Sequence, residues 1–309
     1  MKGFIFAAGF GVRLRPITEN IPKPLIPVLN LPSICYSVFL LKEAGIREII
    51  CNLHYKSEGI IHFFEENEFF GMDISFSIEE NILGTGGGLK RCEDRIGDSE
   101  FIIINSDVIT DIDIKSLIQF HTGHLSPATI MLHRNERAGD IGVIGVSGNH
   151  VVDFKDYLRT GITSDLVYTG VAVLSPVILK YLRNDFSSIV YTGYIDLIRN
   201  HSICYFEHKG IWKDIGGMNS YWESNICLMN DILALGKRMS GVLSPVPEII
   251  SPSSRTSDTA VVRDSVIGMN SVIGEGSLIE RSVILPNTVV SAHAVISNSI
   301  VIDDRIIAQ

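Results

Sequence analysis

Residues 4–28 read FIFAAGFGVRLRPITENIPKPLIPV: three large apolar residues, a turn of small ones, then Arg13, Arg15 and Lys23 set among prolines. Phe4, Ile5 and Phe6 have the bulk of a central parallel strand, which is covered on both faces and reads as an unbroken apolar run. After it, Ala8, Gly9 and Gly11 let backbone N–H groups approach an anion with little or no Cβ in the way. Arg13 and Lys23 add the cations that glycines lack. The stretch therefore reads as a buried strand ending in a phosphate-handling loop. In an open α/β sheet such a loop lies at the carboxyl end of its strand, where ligands bind.

Charge points the same way. The 309-residue chain carries a net −9, but residues 1–25 hold Lys2, Arg13, Arg15 and Lys23 against Glu19, a local +3 that leaves −12 on the remainder. A nucleic-acid polymer wants a broad basic face, so the pattern favours a small anionic ligand met by a local cluster. With 46% hydrophobic residues the chain can build a sizeable core, yet no stretch approaches the roughly 20 apolar residues of a membrane span. Only the eight residues 4–11 pass before the charged stretch at Arg13 and Arg15, too few for a secretory signal, so a cytoplasmic chain is expected. Cys35, Cys51, Cys92, Cys204 and Cys227 include no close pair and read as reduced core thiols.

Through residue 235, apolar runs alternate with amphipathic segments. Strands are expected over 3–7, 48–53, 74–78, 101–104 and 128–132, and helices over 33–44 and 114–121, the second capped by Asp113. This is an α/β pattern, a Rossmann-like and mostly parallel sheet with helices on both faces. Residues 236–258, rich in Ser, Pro and Gly, read as a linker. From 259 the period changes: Val261, Val266, Val272, Leu278, Val283, Val289, Val295 and Ile300 recur in steps of five, six and six, each after a small residue such as Ser265, Ser271 or Ser282. A 17-residue repeat of this kind predicts a short left-handed parallel β-helix of hexapeptide type over 259–309. Open coil ends and apolar faces on a short solenoid suggest a homo-oligomer formed through it.

Nine positions of the opening stretch, Gly9, Gly11, Arg13, Leu14, Pro16, Thr18, Pro22, Lys23 and Pro24, resemble the signature of the sugar-1-phosphate nucleotidyltransferases. That family includes mannose-1-phosphate guanylyltransferases and glucose-1-phosphate thymidylyl- and uridylyltransferases, and several members carry a C-terminal coil domain. The resemblance implies attack of a sugar phosphate oxygen on the α-phosphorus of a nucleoside triphosphate, with release of pyrophosphate. Both reactants are polyanions, and a like-charge pair at 4 Å costs about 4 kcal/mol at an effective dielectric of 20. Cations and Mg²⁺ are therefore needed more than a nucleophile.

By the same resemblance Arg13 stabilises the triphosphate and Lys23 holds the phosphates of both substrates. Asp107, ending the run 101–107, and Asp214, in Trp212-Lys213-Asp214-Ile215-Gly216-Gly217, are implied Mg²⁺ ligands. Ser106 and Gly217 depart from the usual Gly and Thr. Gly84, Thr85 and Gly86 would border the base with Ala8, Gly9, Gly11 and Arg13, in a form closer to the guanylyltransferase branch. Gly142, Asp156 and Gly170 would line the sugar phosphate with Lys23. The family's Phe-x-Glu-Lys element becomes Phe154-Lys155-Asp156-Tyr157, which removes the usual sugar-side lysine and leaves Lys155 to substitute.

The resemblance points to GTP and mannose 1-phosphate as the expected substrates. The alternative is a glucose- or heptose-1-phosphate with UTP, dTTP, CTP or GTP. A reading of another class, a non-catalytic sugar-nucleotide sensor, sits badly with all four charged positions being present, and a glycosyltransferase would lack the arginine loop and the Pro-Lys-Pro segment. Asp111 reads as a solvated loop residue, His121 and His124 as surface histidines, and His293 as a structural member of the coil domain.

Overall fold

A computed structural model describes residues 1–308. Contacts group the chain into two compact units, one of Met1–Phe10 and Ser37–Trp212, the other of Gly11–Tyr36 and Lys213–Gln309.

The first unit is a nine-stranded sheet. Its strands are β1 (Lys2–Phe6), β2 (Glu48–Leu53), β3 (Asp73–Ile78), β4 (Phe101–Asn105), β5 (Ala128–Arg134), β6 (Ile144–Ser147), β7 (His150–Phe154), β8 (Leu166–Leu174) and β9 (Ile203–His208). The order is β3-β2-β1-β4-β8-β5-β9-β7-β6. The block β3-β2-β1-β4 is parallel, as the alternating strand and helix pattern requires, with Phe4 opposite Ile50 and Ile103. β8 then enters antiparallel between β4 and β5, β5 and β9 run parallel, and β7 and β6 form an antiparallel edge. Phe4, Ile50, Ile103, Ile130 and Ala172 share one continuous buried core. Each large side chain so buried contributes about 1.5–3 kcal/mol. Among the described residues no helix is long and apolar enough to cross a membrane.

The helix expected over 33–44 is observed as Ile34–Glu43 and stops where Gly45 turns to φ 86°. The helix Ile114–His124 begins at Asp113, whose carboxylate accepts from Lys115 N at 3.0 Å and Ser116 Oγ at 2.6 Å. His124 is exposed, but His121 corrects its surface assignment. It follows Ile114 and Leu117 on the inward face at helical spacing and is 1% exposed, with its ring bonded to Thr129 Oγ1 at 2.8 Å and Glu100 Oε1 at 3.2 Å. Burial lowers its pKa and Glu100 opposes that. Cys35, Cys51, Cys92 and Cys204 are buried, whereas Cys227 is exposed.

In the second unit the 17-residue period becomes geometry. Arg255–Thr256, Val272–Ile273 and Val289–Val290 stack in parallel, as do Val261–Arg263, Leu278–Glu280 and Val295–Ser297. Val266, Val283 and Ile300 align on the third face. The core, however, is made by the residue after each repeating apolar one: Ile267, Ile273, Ile279, Ile284, Val290, Ile296 and Val301. Side chains alternate along a strand, so the small residue points in, the repeating Val points out and its neighbour points in again, although on the third face the outward Val266, Val283 and Ile300 are buried too. Ser282 N donates to Ser265 Oγ at 3.0 Å and Ser299 N to Ser282 Oγ at 3.1 Å, a serine ladder up one corner.

Of the segment 236–258, residues to Met239 complete the helix Met229–Met239, and Ile250 already bridges Ile267. Arg305–Ala308 folds back antiparallel on Ser299–Ile302 and closes the last coil. His293 takes a left-handed corner, φ 61°, with its ring against Gly276.

One buried carboxylate organises the edge of the sheet. Asp153, fully buried in β7, accepts from Phe154 N (2.8 Å), Leu158 N (3.0 Å), Thr160 N (3.2 Å) and Thr160 Oγ1 (2.9 Å). Burial alone would raise its pKa, but these bonds outweigh it and hold the carboxyl below its ordinary value. A carboxyl depressed in the folded state adds stability above its unfolded pKa of about 3.9 and loses it as pH falls through the folded value. Asp153→Asn is therefore expected to cost about 1–3 kcal/mol at pH 7. The gap to the parent protein should narrow below about pH 4 in thermal melts; a gap constant from pH 7 to pH 3 would exclude this role.

Candidate active site

Gly11 adopts φ 67°, and a Cβ there would lie 2.7 Å from Thr18 Cγ2 and 3.1 Å from Lys23 Cβ. Its carbonyl accepts from Leu14 N and from Thr18 Oγ1, both at 2.9 Å. Short helical turns at Val12–Leu14, Ile17–Asn20 and Lys23–Leu25 bury Leu14, Ile17 and Pro24 while leaving Arg13 exposed and Lys23 half-buried. Asp214 meets this loop from the other end of the chain. Gly216 N donates to Asp214 Oδ1, and a Cβ on Gly216 would lie 2.6 Å from both Arg13 Nη2 and Asp214 Oδ1. A guanidinium and a carboxylate 201 positions apart thus flank one glycine. Gly217 opens the helix Met218–Ile226 in extended backbone, with Ser220 Oγ on its N–H at 3.2 Å.

In the first unit Asp107 follows β4 and is 9% exposed. Ser106 N donates to Phe6 O at 3.1 Å, continuing the β1–β4 pairing one step. Gly170, φ 83°, lies where a Cβ would meet Asn105 Cγ at 2.8 Å, so the glycine admits the Asn105 side chain. Ala8 is buried, and the Cβ direction of Gly9 faces open space.

The glycine run 84–88 opens the helix Gly84–Arg91, but its glycines also answer to protein neighbours. Gly86 N donates to Ser187 O at 2.8 Å, and Thr85 Oγ1 accepts from Ile189 N at 3.0 Å. A Cβ on Gly88 would strike Glu79 Oε1 at 2.6 Å and Asn52 Nδ2 at 2.7 Å. Sequence reading gave Glu79 and Asn52 no role. Glu79 is 2% exposed and accepts from Asn52 Nδ2 (2.7 Å) and Leu83 N (2.8 Å), while Asn52 Oδ1 accepts from Ala7 N at 3.1 Å. The ends of β1, β2 and β3 and the glycine helix are joined through these two side chains. Their positions, 27 residues apart, with Asn52 in β2 and Glu79 just after β3, leave no local signal.

On the implied sugar side, Gly142 takes φ 133°, a conformation open to glycine, and Lys155 folds over it with Nζ 2.9 Å from where a Cβ would sit. Asp156 is exposed and accepts from Gly161 N at 2.9 Å. Tyr157, in place of the family lysine, is exposed and lies 5.2 Å from the Tyr191 ring. Asp111 is not the solvated loop residue expected: its Oδ1 accepts from Ile211 N at 2.8 Å and faces His208 Nε2 at 2.9 Å. That nitrogen also contacts Ile211 O at 3.1 Å. Two oxygen acceptors require it to carry the proton.

The chain thus combines a nine-stranded α/β sheet, a parallel coil of 17-residue turns, and Arg13 and Asp214 flanking Gly216. The nucleotidyl transferase family matches residues 2–230, and the GlmU-like C-terminal hexapeptide family matches residues 243–309. The chain belongs to the sugar-1-phosphate nucleotidyltransferases. It is 32% identical to the mannose-1-phosphate guanyltransferase of Hypocrea jecorina over 253 residues, covering 80% of this chain and 69% of that protein. The Saccharomyces cerevisiae mannose-1-phosphate guanyltransferase is 30% identical, with 81% and 70% covered. Among solved structures, HddC of Yersinia pseudotuberculosis complexed with GMP-PN superposes with TM-score 0.60 at 25% identity, covering 72% of this chain and 97% of that one. An apo UDP-glucose pyrophosphorylase gives 0.64 at 21% identity, covering 75% and 99%, and shares the fold.

Gly216→Ala is expected to push Arg13 and Asp214 apart and cut pyrophosphate release by about a hundredfold, the scale of a 1 Å misplacement. Near-normal release would show that this glycine does not set their spacing.

Proposed function

We propose that the chain joins GTP to mannose 1-phosphate, giving GDP-mannose and pyrophosphate. The observation that carries the reading is the gathering of Arg13, Lys23 and Asp214 around Gly11 and Gly216 in one compact unit of an otherwise acidic chain. The choice of substrates is supported by mannose-1-phosphate guanyltransferases at about 30% identity over most of the chain, and by the GMP-PN bound to the Yersinia protein.

In the reaction a phosphate oxygen of the sugar phosphate attacks the α-phosphorus of the triphosphate. The α–β bridging oxygen leaves with pyrophosphate, so one P–O bond forms as another breaks. Arg13 offers its guanidinium to the charge that develops on the leaving phosphates, and Lys23 draws the two anions together as a point charge. Ala8, Gly9 and Gly11 provide the close backbone approach, with Gly84, Thr85 and Gly86 bordering the base. Gly142, Asp156 and Gly170 line the sugar phosphate, and Lys155, folded over Gly142, replaces the ammonium that Tyr157 lacks. No covalent enzyme intermediate is required.

Asp107 and Asp214 would hold Mg²⁺. Both are oxygen donors that follow or close a strand, and among the described residues no group of three or more His, Cys, Asp or Glu forms a dedicated cage. One or two carboxylates plus substrate phosphates and water is the ordinary magnesium donor set. The ion, when bound, supplies positive charge to the phosphate oxygens. The coil domain is proposed to join copies of the chain, with Val289 and Val295 67% and 72% exposed on its outer faces, and the chain is proposed to work in the cytoplasm.

A panel of GTP, UTP, dTTP and CTP against mannose, glucose and heptose 1-phosphates, with Mg²⁺ and a pyrophosphate readout, tests the reading. GTP with mannose 1-phosphate should turn over fastest, and a different preferred pair would displace that assignment. Silence from every pair would sink the activity itself. Asp107→Asn and Asp214→Asn should each lose on the order of a hundredfold or more in kcat, with EDTA doing the same to the parent enzyme. A variant with normal turnover takes its aspartate out of the metal site.

A further inference from the structure

The chain after Lys23 forms a hairpin whose tip bonds to the first turn of the β-helix. Strands Pro27–Val28 and Leu31–Pro32 pair antiparallel, with Val28 opposite Leu31, so Leu29 and Asn30 form a two-residue turn at φ 44° and 61°. Two consecutive positive φ angles make the turn type that favours Asn and Gly and disfavours Leu. Leu29 is nonetheless fully buried there. Its N–H donates to Asn225 Oδ1 at 2.9 Å, and its carbonyl accepts from Glu248 N at 2.7 Å. Asn30 Nδ2 then reaches three carbonyls, of Ile267 (2.9 Å), Glu248 (3.0 Å) and Ile249 (3.4 Å). Ile249 O itself accepts from Ile267 N at 2.9 Å, and Ile250 bridges Ile267, so the hairpin tip is built into the first turn of the coil domain.

The other end of the hairpin is held as firmly. Ser33 Oγ donates to Pro24 O at 3.1 Å and lies 3.4 Å from Lys23 O. Tyr36 OH donates to Val28 O at 2.9 Å, and Tyr221 OH to Pro27 O at 2.7 Å. Pro27, Val28 and Leu31 are buried, and Lys23 Cβ already crowds the Cβ position of Gly11. A short segment bonded at Pro24, Pro27 and Val28 therefore runs from Asn30 to the half-buried lysine. Arg305, in the closing strand of the β-helix, adds a second tie at 3.6 Å to Glu19, one residue from Thr18.

We infer that the coil domain is the mount of the phosphate loop within this unit, and that Asn30 is the positioning residue through which it fixes Lys23 for the triphosphate. The inference rests on the reading of Lys23 as a phosphate ligand given under Proposed function. Glycine would satisfy the left-handed backbone at position 30, but the three carbonyls need an amide donor. The two demands can therefore be separated by mutation.

In the full-length protein Asn30→Gly keeps the backbone and removes the donor. Calorimetric titration with GTP and Mg²⁺ should show affinity weakened by about tenfold or more, with KM for both substrates rising in parallel and the circular dichroism spectrum unchanged. Ser282→Ala is the control. It removes the Oγ that accepts from Ser299 N, a coil bond with no link to Asn30, and should lower the melting temperature while leaving GTP affinity within about twofold. Equal GTP affinity in parent and Asn30→Gly overturns the inference. An equal loss in Ser282→Ala does so too, because it would make the effect a general loosening. Titration reads binding without turnover, so a parent protein that binds GTP but releases no pyrophosphate removes the proposed reaction and leaves this inference to the Asn30→Gly result. A parent that binds no nucleoside triphosphate overturns both.

Discussion

Two points in the second compact unit have no room for a side chain, and the cationic loop is shaped around them. At Gly11 a Cβ would run into Thr18 and Lys23; at Gly216 it would run into Arg13 and Asp214. The absence of two methyl groups lets a signature loop near the start of the chain and a second motif some 200 residues later close on each other. Closeness matters because the substrates are both polyanions. Interaction between charges falls as the inverse of distance and of the local dielectric, so cations must be held near the phosphates and partly out of water. Thr18, 1% exposed, ties its hydroxyl back to Gly11 and keeps the loop closed on its own bonds.

The sheet and the coil domain supply rigidity in different ways. In the sheet, β1 lies between two parallel neighbours and ends in small residues, so Ala7 and Ser106 are caught by bonds to Asn52 and Phe6 rather than left as free backbone. Glu79 draws the glycine helix into the same set of bonds. In the coil, rigidity comes from repetition. Each 17-residue turn stacks isoleucine or valine on isoleucine inside and serine on serine at one corner, and Trp222 joins the helix Met218–Ile226 to this stack through Arg281 O at 2.9 Å. The helix that begins three residues after Ile215 thus rests on the same coil that receives Asn30.

Much of this was legible in the residues. The apolar run 101–104, the small residues after Phe6 and the 17-residue recurrence are local patterns, and local patterns translate directly into strand, turn and coil. Asp113 as a helix cap needed only its place before Ile114. What escaped were residues whose partners are distant in sequence. His121 looked like half of a surface pair until the helix phase turned it toward Thr129 and Glu100. Asp111 looked solvated until Ile211 and His208, about a hundred positions on, reached it. The repeating valines of the coil marked the period correctly but not the inward face, because the alternation of a strand places the next residue inside.

The sequence alone set out the parts list of an α/β sheet, a glycine loop with two cations and a coil of period 17, which follow from residue type and spacing over one strand or one turn. Its resemblance to the nucleotidyltransferases implied the chemistry and the two motif aspartates. Only the tertiary structure decided that Arg13 and Asp214 share Gly216, that Glu79 and Asn52 bind three strand ends together, and that Asn30 carries the coil domain to the loop behind Lys23. Those contacts join positions 27 to 237 residues apart. Chain spacing says nothing about such pairs, which the packing of whole elements brings together.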